Sequence, residues 1–285
     1  MIIKNINSIK HFNLHLHTNV SDGRLTPKEV VNRANEIGLD LISITDHDNA
    51  DAYNLLPKEI APLRIIPGIE ISSLYQDSDV HILGLGLNLH SQSLLDMIEM
   101  YLVGRRERAI KMIQKLAGLG IHINIDEVEA VSGSRGLIVR PHIAQVLLNH
   151  GYVHSKSEAF EKYIGNNGPA YVHKPEFSVQ EAIQVIHEAN GFAIIAHPGD
   201  LVSVSYVDDL IKMGIDGLEV WHPDHNLSQI DYFTDLCKNL GLYMTGGSDF
   251  HGDNERYNLF EEVPASEAVL ESVNKLWREY KCRGN

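Results

Sequence analysis

The chain switches repeatedly between short apolar runs and amphipathic stretches of helical period. Phe12, Leu14 and Leu16 alternate with polar neighbours, as in a half-buried strand. A helix is predicted to begin at Thr26-Pro27-Lys28-Glu29, where Thr26 caps, Pro27 suits the first helical position and Glu29 closes a capping box. Gly38 is its stop signal. Residues 39–45 (LDLISIT) read as a buried strand, 49–60 as a second helix, and 64–72 and 80–87 as two further strands.

After Ser91 the character changes, and 92–171 reads as helical and poor in strands. Alternation then resumes. Ser178 to Glu181 opens a second capping-box helix ending near Gly191, and FAIIAHP, IDGLEVWHP and LYMTGGSD read as strands separated and followed by helices. About seven strands alternating with helices predict an α/β fold built on a parallel sheet or (β/α) barrel. The expected organisation is a first barrel part over 1–91, a helical insertion over 92–171 acting as a substrate cap, and a second barrel part over 172–285. In such barrels the working residues stand at the carboxyl ends of the strands.

Composition narrows the possibilities. Of 285 residues, 44% are hydrophobic and 22% charged, a globular balance that excludes a disordered or collagen-like chain. The longest apolar runs are too short to cross a bilayer, and the N-terminal residues lack a signal-peptide pattern. Cys237 and Cys282 stand apart from any CxxC pair and read as reduced thiols, which suggests a cytoplasmic protein. The formal net charge of −14 disfavours long duplex nucleic acid and anionic membranes as partners. Histidine is unusually frequent, with 16 residues, and its spacing decides what that frequency means.

The first strand ends in His15-Leu16-His17, two imidazoles on one face, with Asp22 in the following loop. The second ends in Asp46-His47; neighbours on a strand face opposite ways, so His47 is taken as the ligand and Asp46 as its supporting carboxylate. Glu70, His81, His197, Asp249 and His251 occupy further strand ends. Nine imidazole and carboxylate candidates exceed what one ion can hold and suit about two or three divalent ions sharing a bridging carboxylate. Without thiolate, such a set points to Mn, Zn or Fe.

At these residues the chain resembles the PHP superfamily, named for polymerase and histidinol phosphatase. Its pattern of HxH with a following acid, TDH, GxE, a lone His before Gly, HP and SDxH stands here as HLHTNVSDG, ITDHD, PGIE, HILG, AHPG and GSDFH. The resemblance implies a distorted seven-stranded barrel and a trinuclear site. His15, His17, Glu70 and Asp249 would hold one ion, Asp22, His47 and His251 a second, and Glu70, His81 and His197 a third. RPHIA (140–144), YIGNNGPAYV (163–172) and LEVWHPDH (218–225) resemble one branch in particular. That branch contains nucleoside 3′,5′-bisphosphate phosphatases and 5′-to-3′ exoribonucleases acting on short RNA.

The implied reaction is metal-dependent hydrolysis of a small phosphorylated nucleotide by a hydroxide bridging two ions, with Mn the expected metal. Asp249, His197 and His222 are the catalytic candidates, His222 or His197 supplying the leaving group's proton. Arg140 and Lys174, with Arg135 behind them, are candidates for a second phosphate, and His222, His225 and Asp224 for other substrate contacts. Trp221 and Tyr171 are base-stacking candidates or core. Arg105, Arg106 and Arg108 are expected on a solvated helix face, and His11, His90, His122, His150, His154 and His187 outside the site. Alternatives are an exoribonuclease on short RNA, a histidinol-phosphate phosphatase, or a metal-binding scaffold without turnover.

Overall fold

Strands and helices alternate along residues 8–58, 60–132, 138–173, 177–201, 204–252 and 263–284, which the computed structural model describes. The strands are β1 (Phe12–Asn13), β2 (Leu41–Ile42), β3 (Arg64–Ile65), β4 (Gly68–Tyr75), β5 (Ser78–Leu85), β6 (Phe177–Ser178), β7 (Phe192–Ile195), β8 (Gly217–Trp221) and β9 (Tyr243–Gly246). The helices are α1 (Pro27–Glu36), α2 (Gln92–Gly118), α3 (Ile125–Ser132), α4 (Arg140–Asn149), α5 (Lys156–Ala159), α6 (Val179–Glu188), α7 (Val204–Lys212), α8 (Leu227–Leu240) and α9 (Glu267–Cys282). The class is α/β. Two compact units divide the chain, one of Met1–Leu95 with Phe177–Asn285 and one of Asp96–Glu176.

In the first unit, β1, β2 and β3 form a parallel sheet, and β6-β4-β5-β7-β8-β9 a mixed one. Parallel bridges between Leu16 and Phe250 and between His47 and Glu70 link the two. Both capping boxes form as the sequence predicts: Glu29 N–H donates to Thr26 Oγ1 at 3.3 Å, and Glu181 N–H to Ser178 Oγ at 3.2 Å. Val30 and Val31 on α1 pack against Leu16, Ile42, Ile44 and Phe250 in one buried cluster beneath the strand ends that carry the candidate ligands.

Several elements depart from the expected plan, each for a local reason. The predicted 64–72 strand breaks at Pro67, which has no N–H and whose carbonyl instead accepts from Gly86 and Leu87. The predicted 49–60 helix shrinks to one tight turn, Asp51–Leu55, because Leu56 precedes Pro57 and is extended at ψ 145°. β5 runs antiparallel to both β4 and β7. A two-residue turn makes that reversal, with Gln76 and Asp77 both left-handed at φ 47° and 62°. Such turns usually announce themselves through Asn or Gly, and this one does not.

The second unit is helical over its described residues, around a core that includes Met112, Leu116, Val128, Ile143, Leu147 and Ile164. Its arginines correct an expectation. Arg106 is exposed and pairs with Glu129, but Arg105 and Arg108 are only 8% and 9% exposed. Arg108 Nε donates to Val172 O at 2.7 Å, and its guanidinium lies over Tyr171. A guanidinium hydrated less tightly than an ammonium is well suited to that half-apolar setting. No helix among the described residues is long and apolar enough to cross a membrane.

Candidate metal centre

The centre is built from the chain just beyond β1, β2, β7 and β9, but Glu70 and His81, expected at strand ends, stand within β4 and β5. Because His15 and His17 are two apart on extended backbone, their Nε2 atoms meet at 3.1 Å. Glu70, 1% exposed, stands where they point. Its Oε2 lies 3.3 Å from His15 Nε2, 3.1 Å from His17 Nε2 and 3.1 Å from His47 Nδ1. Its Oε1 lies 2.9 Å from His81 Nδ1 and 3.3 Å from His197 Nε2. One carboxylate therefore faces five imidazoles.

Asp249 covers a second side, with Oδ1 3.2 Å from His15 Nε2 and 3.0 Å from His17 Nε2. Asp22 Oδ1 lies 3.3 Å from His251 Nε2, and its Oδ2 is 3.8 Å from His47 Nε2. Three groups of donor atoms result, each within 4.8 Å internally: His15, His17, Glu70 and Asp249; His17, Asp22, His47 and His251; and His47, Glu70 and His81. His197 stands beside the third group through its contact with Glu70 Oε1.

This arrangement makes poor sense as a hydrogen-bond network. His17 Nδ1, His47 Nδ1, His81 Nδ1, Glu70 Oε2 and Asp249 Oδ1 are buried without a hydrogen bond of acceptable geometry, although charged or polar atoms lie close by. Buried polar atoms are nearly always satisfied, so several converging orphans call for a shared cation. The donor set fits hard-to-borderline divalent ions.

The electrostatics agree. Burial alone would lower the His17 pKa, but the Asp249 and Glu70 carboxylates beside it hold it up at about 10. Burial is likewise outweighed at His15, which Glu219, Asp249 and Glu70 keep well above its ordinary value. Burial pushes His47 down to about 4, with His17 and His81 adding to it against Glu70 and Asp22. Glu70 and Asp249 are held well below the ordinary carboxylate range, the imidazoles around them outweighing burial. The site keeps its carboxylates ionised and concentrates negative charge where a cation would sit.

The family model described as "PHP domain" matches residues 13–126. A 5′-3′ exoribonuclease of Haemophilus influenzae is 32% identical over 95% of this chain and 99% of its own length. A 3′,5′-nucleoside bisphosphate phosphatase of Chromobacterium violaceum is 32% identical over 96% of this chain and 97% of its own. The chain belongs to the PHP family. The crystal structure of a metal-dependent phosphoesterase assignment from Bifidobacterium adolescentis superposes with a TM-score of 0.78 at 30% identity, over 92% of this chain and 95% of that one.

Around the PHP cluster, several residues take roles other than those expected. Asp46 does not support His47; it accepts from Thr18 N at 2.7 Å, Thr18 Oγ1 at 2.6 Å and Ser21 Oγ at 2.7 Å. Facing away from His47 along the strand, it ties down the loop that carries Asp22. His225 is engaged on both nitrogens: Nδ1–H donates to Val220 O at 2.9 Å, and Nε2 accepts from Gly199 N–H at 3.1 Å. It braces the turn rather than reaching for substrate, and burial lowers its pKa in keeping with a neutral ring. His222 is 1% exposed, with Nε2 3.7 Å from Asp249 Oδ2.

The sequence reading missed Glu219. Fully buried in β8, its Oε1 accepts from His15 Nδ1 at 3.0 Å and its Oε2 from His197 N–H at 2.7 Å. A carboxylate inside the apolar run LEVW was the available signal. Arg140, in the helical unit, donates from Nη1 to Asn166 Oδ1 at 2.8 Å and Ile164 O at 3.3 Å, its guanidinium 5.5 Å from both the Phe160 and Tyr171 ring centres. Lys174 and Arg135 lie outside the described residues. His150 and His187 pair at the surface with Glu127 and Asp216.

Proposed function

We propose that this chain is a metal-dependent phosphoesterase that removes the 3′-phosphate of a nucleoside 3′,5′-bisphosphate. The observation that carries this reading is the carboxylate of Glu70 facing five imidazoles, with Asp249 and Asp22 on flanking sides. His15, His17, Asp22, His47, Glu70, His81, His197, Asp249 and His251 are the proposed ligands of two to three divalent ions, Mn first and Zn or Fe next. Bound there, such ions would supply positive charge to phosphate oxygens and lower the pKa of a water. The two bridges between the sheets support reading β4-β5-β7-β8-β9-β1-β2 as a distorted seven-stranded barrel with these residues at one rim.

His222 is our choice of general acid. Its Nδ1 accepts from Asp224 N–H at 3.3 Å, which leaves the proton on Nε2, aimed toward Asp249. The His197 ring is committed through Nε2 to Glu70, and we assign it to the ligands instead. Arg140 is the proposed grip on the second phosphate, because the bonds to Asn166 and Ile164 and the stacking on Phe160 and Tyr171 hold its guanidinium in place. We read residues 92–171 as a substrate-holding insertion on that basis, with Lys174 an adjoining candidate.

A second reading is a 5′-3′ exoribonuclease on short RNA, favoured by relatives of both names at the same 32% identity. The net charge of −14 argues for short rather than long chains. Mn-loaded protein assayed on adenosine 3′,5′-bisphosphate, a 5′-phosphorylated RNA dinucleotide and histidinol phosphate separates these readings, with Asp249→Ala as control. Phosphate release confined to the bisphosphate establishes the phosphatase. Comparable cleavage of the dinucleotide establishes the exonuclease, and turnover of neither, with metal bound, overturns both.

A further inference from the structure

A cavity of about 300 Å³ opens beside the centre, between the turn after β7 and the first turns of α8. Pro198, Leu201, Val207 and Phe233 give it an apolar lining. On α8, Ser228 and Tyr232 also line it, one helical turn apart and therefore on one face. Tyr232 is 41% exposed, an aromatic ring left on the lip of an apolar slot. Among the described residues neither its hydroxyl nor that of Ser228 makes a hydrogen bond.

The slot adjoins the chemistry. Pro198 follows His197, whose Nε2 is 3.3 Å from Glu70. A run of rings leads the same way: Phe233 to His225 at 5.2 Å, His225 to His222 at 5.5 Å, and His222 to His197 at 5.5 Å. The volume lies at the lower end of what small-molecule sites offer, enough for a planar heterocycle.

Resting on the phosphoesterase reading, we infer that this slot receives the nucleobase of the substrate, stacked on Tyr232. The polar groups at its edge also say which bases it takes. Of the Asn226 and Gln229 side chains, Gln229 is engaged at both ends and Asn226 at its oxygen: Asn226 Oδ1 accepts from Gln229 N at 3.0 Å, Gln229 Oε1 accepts from Asn226 N at 3.0 Å, and Gln229 Nε2 donates to Gly199 O at 3.3 Å. What the lining leaves for a base edge is the Asn226 amide nitrogen, a donor, and the Ser228 and Tyr232 hydroxyls, each able to donate or accept. The slot therefore holds purines and pyrimidines with little preference, its affinity coming from stacking.

Equilibrium binding tests this without relying on turnover. Metal-loaded protein is titrated with 2-aminopurine riboside 5′-monophosphate, read by quenching of the base's fluorescence, and with ribose 5-phosphate by calorimetry. The wild type binds the nucleotide more tightly than the sugar phosphate and quenches it. Tyr232→Ala weakens nucleotide binding about tenfold, as loss of one base–aromatic stack does, and leaves ribose 5-phosphate unchanged. Ser228→Trp, which fills the slot from an exposed position, does the same. Equal wild-type affinity for the two ligands, or no change in the nucleotide's affinity in either variant, overturns the inference and leaves the phosphoesterase reading standing. Wild-type protein that binds neither ligand overturns both.

Discussion

Glu219 Oε1 lies 3.0 Å from His15 Nδ1, with both side chains fully buried, and the other oxygen of the same carboxylate takes the His197 backbone N–H at 2.7 Å. Donation from Nδ1–H leaves Nε2 as the nitrogen that faces Glu70 and Asp249. One carboxylate thus sets the tautomer of one imidazole and pins the strand end that carries another. Partners of this kind typically carry 10–100-fold in metal affinity. Glu219→Gln, which keeps the shape and loses the charge, is expected to weaken Mn binding by about that factor while circular dichroism stays unchanged. Unaltered affinity, measured calorimetrically, would contradict the role.

Ion loading should also appear as stability. A ligand that binds only the folded chain adds about 2.7 kcal/mol at a free concentration of about 100 Kd. Mn or Zn is therefore expected to raise the melting temperature, and a chelator to reverse it. The shift should shrink sharply in Asp249→Ala, since Asp249 lies 3.0 Å and 3.2 Å from two imidazoles of the cluster.

Gly247 marks a contact between β9 and β1 that tolerates no side chain. A Cβ there would overlap the Cβ of His15 and fall 2.6 Å from the His15 nitrogen. Gly247→Ala must displace either the end of β9 or His15 itself. We expect a loss of about 1–3 kcal/mol by denaturant unfolding, the usual cost of overpacking, together with weaker metal binding. Full stability with intact metal binding would show that the strand ends separate freely.

The two cysteines should differ in reactivity. Cys237 is buried and burial pushes its thiol up to about 12, whereas Cys282 is exposed. Below that pH the Cys237 thiolate is scarce, and its fraction grows only as pH rises. At pH 8 iodoacetamide should label Cys282 alone in the folded protein and both thiols in denaturant. Mass spectrometry of the labelled chain reads the difference.

Thr26 with Glu29 and Ser178 with Glu181 form capping boxes that the sequence announces, because a cap is a matter of neighbours three residues apart. Asp46 shows the limit. The alternation of a strand correctly says that it faces away from His47, but its partners Thr18 and Ser21 come from a loop 28 and 25 residues earlier. Arg105 and Arg108 sit in a helical segment whose charge pattern reads as solvated, and a fold contact with Val172, 64 residues on, draws Arg108 inward.

The sequence by itself determined that His15 and His17, two apart on extended backbone, share a face, and that Asp249 and His251 follow the end of a strand; Glu70 and His81 stand within β4 and β5 instead. It also determined the helix starts, since caps are local. Only the tertiary structure decided that Glu70 stands among five imidazoles, that β5 runs against its neighbours, and that Glu219 serves His15 across 204 residues of chain. Local rules act through the backbone over a few residues. The convergence of distant residues depends on sheet register and core packing, which no short stretch of sequence contains.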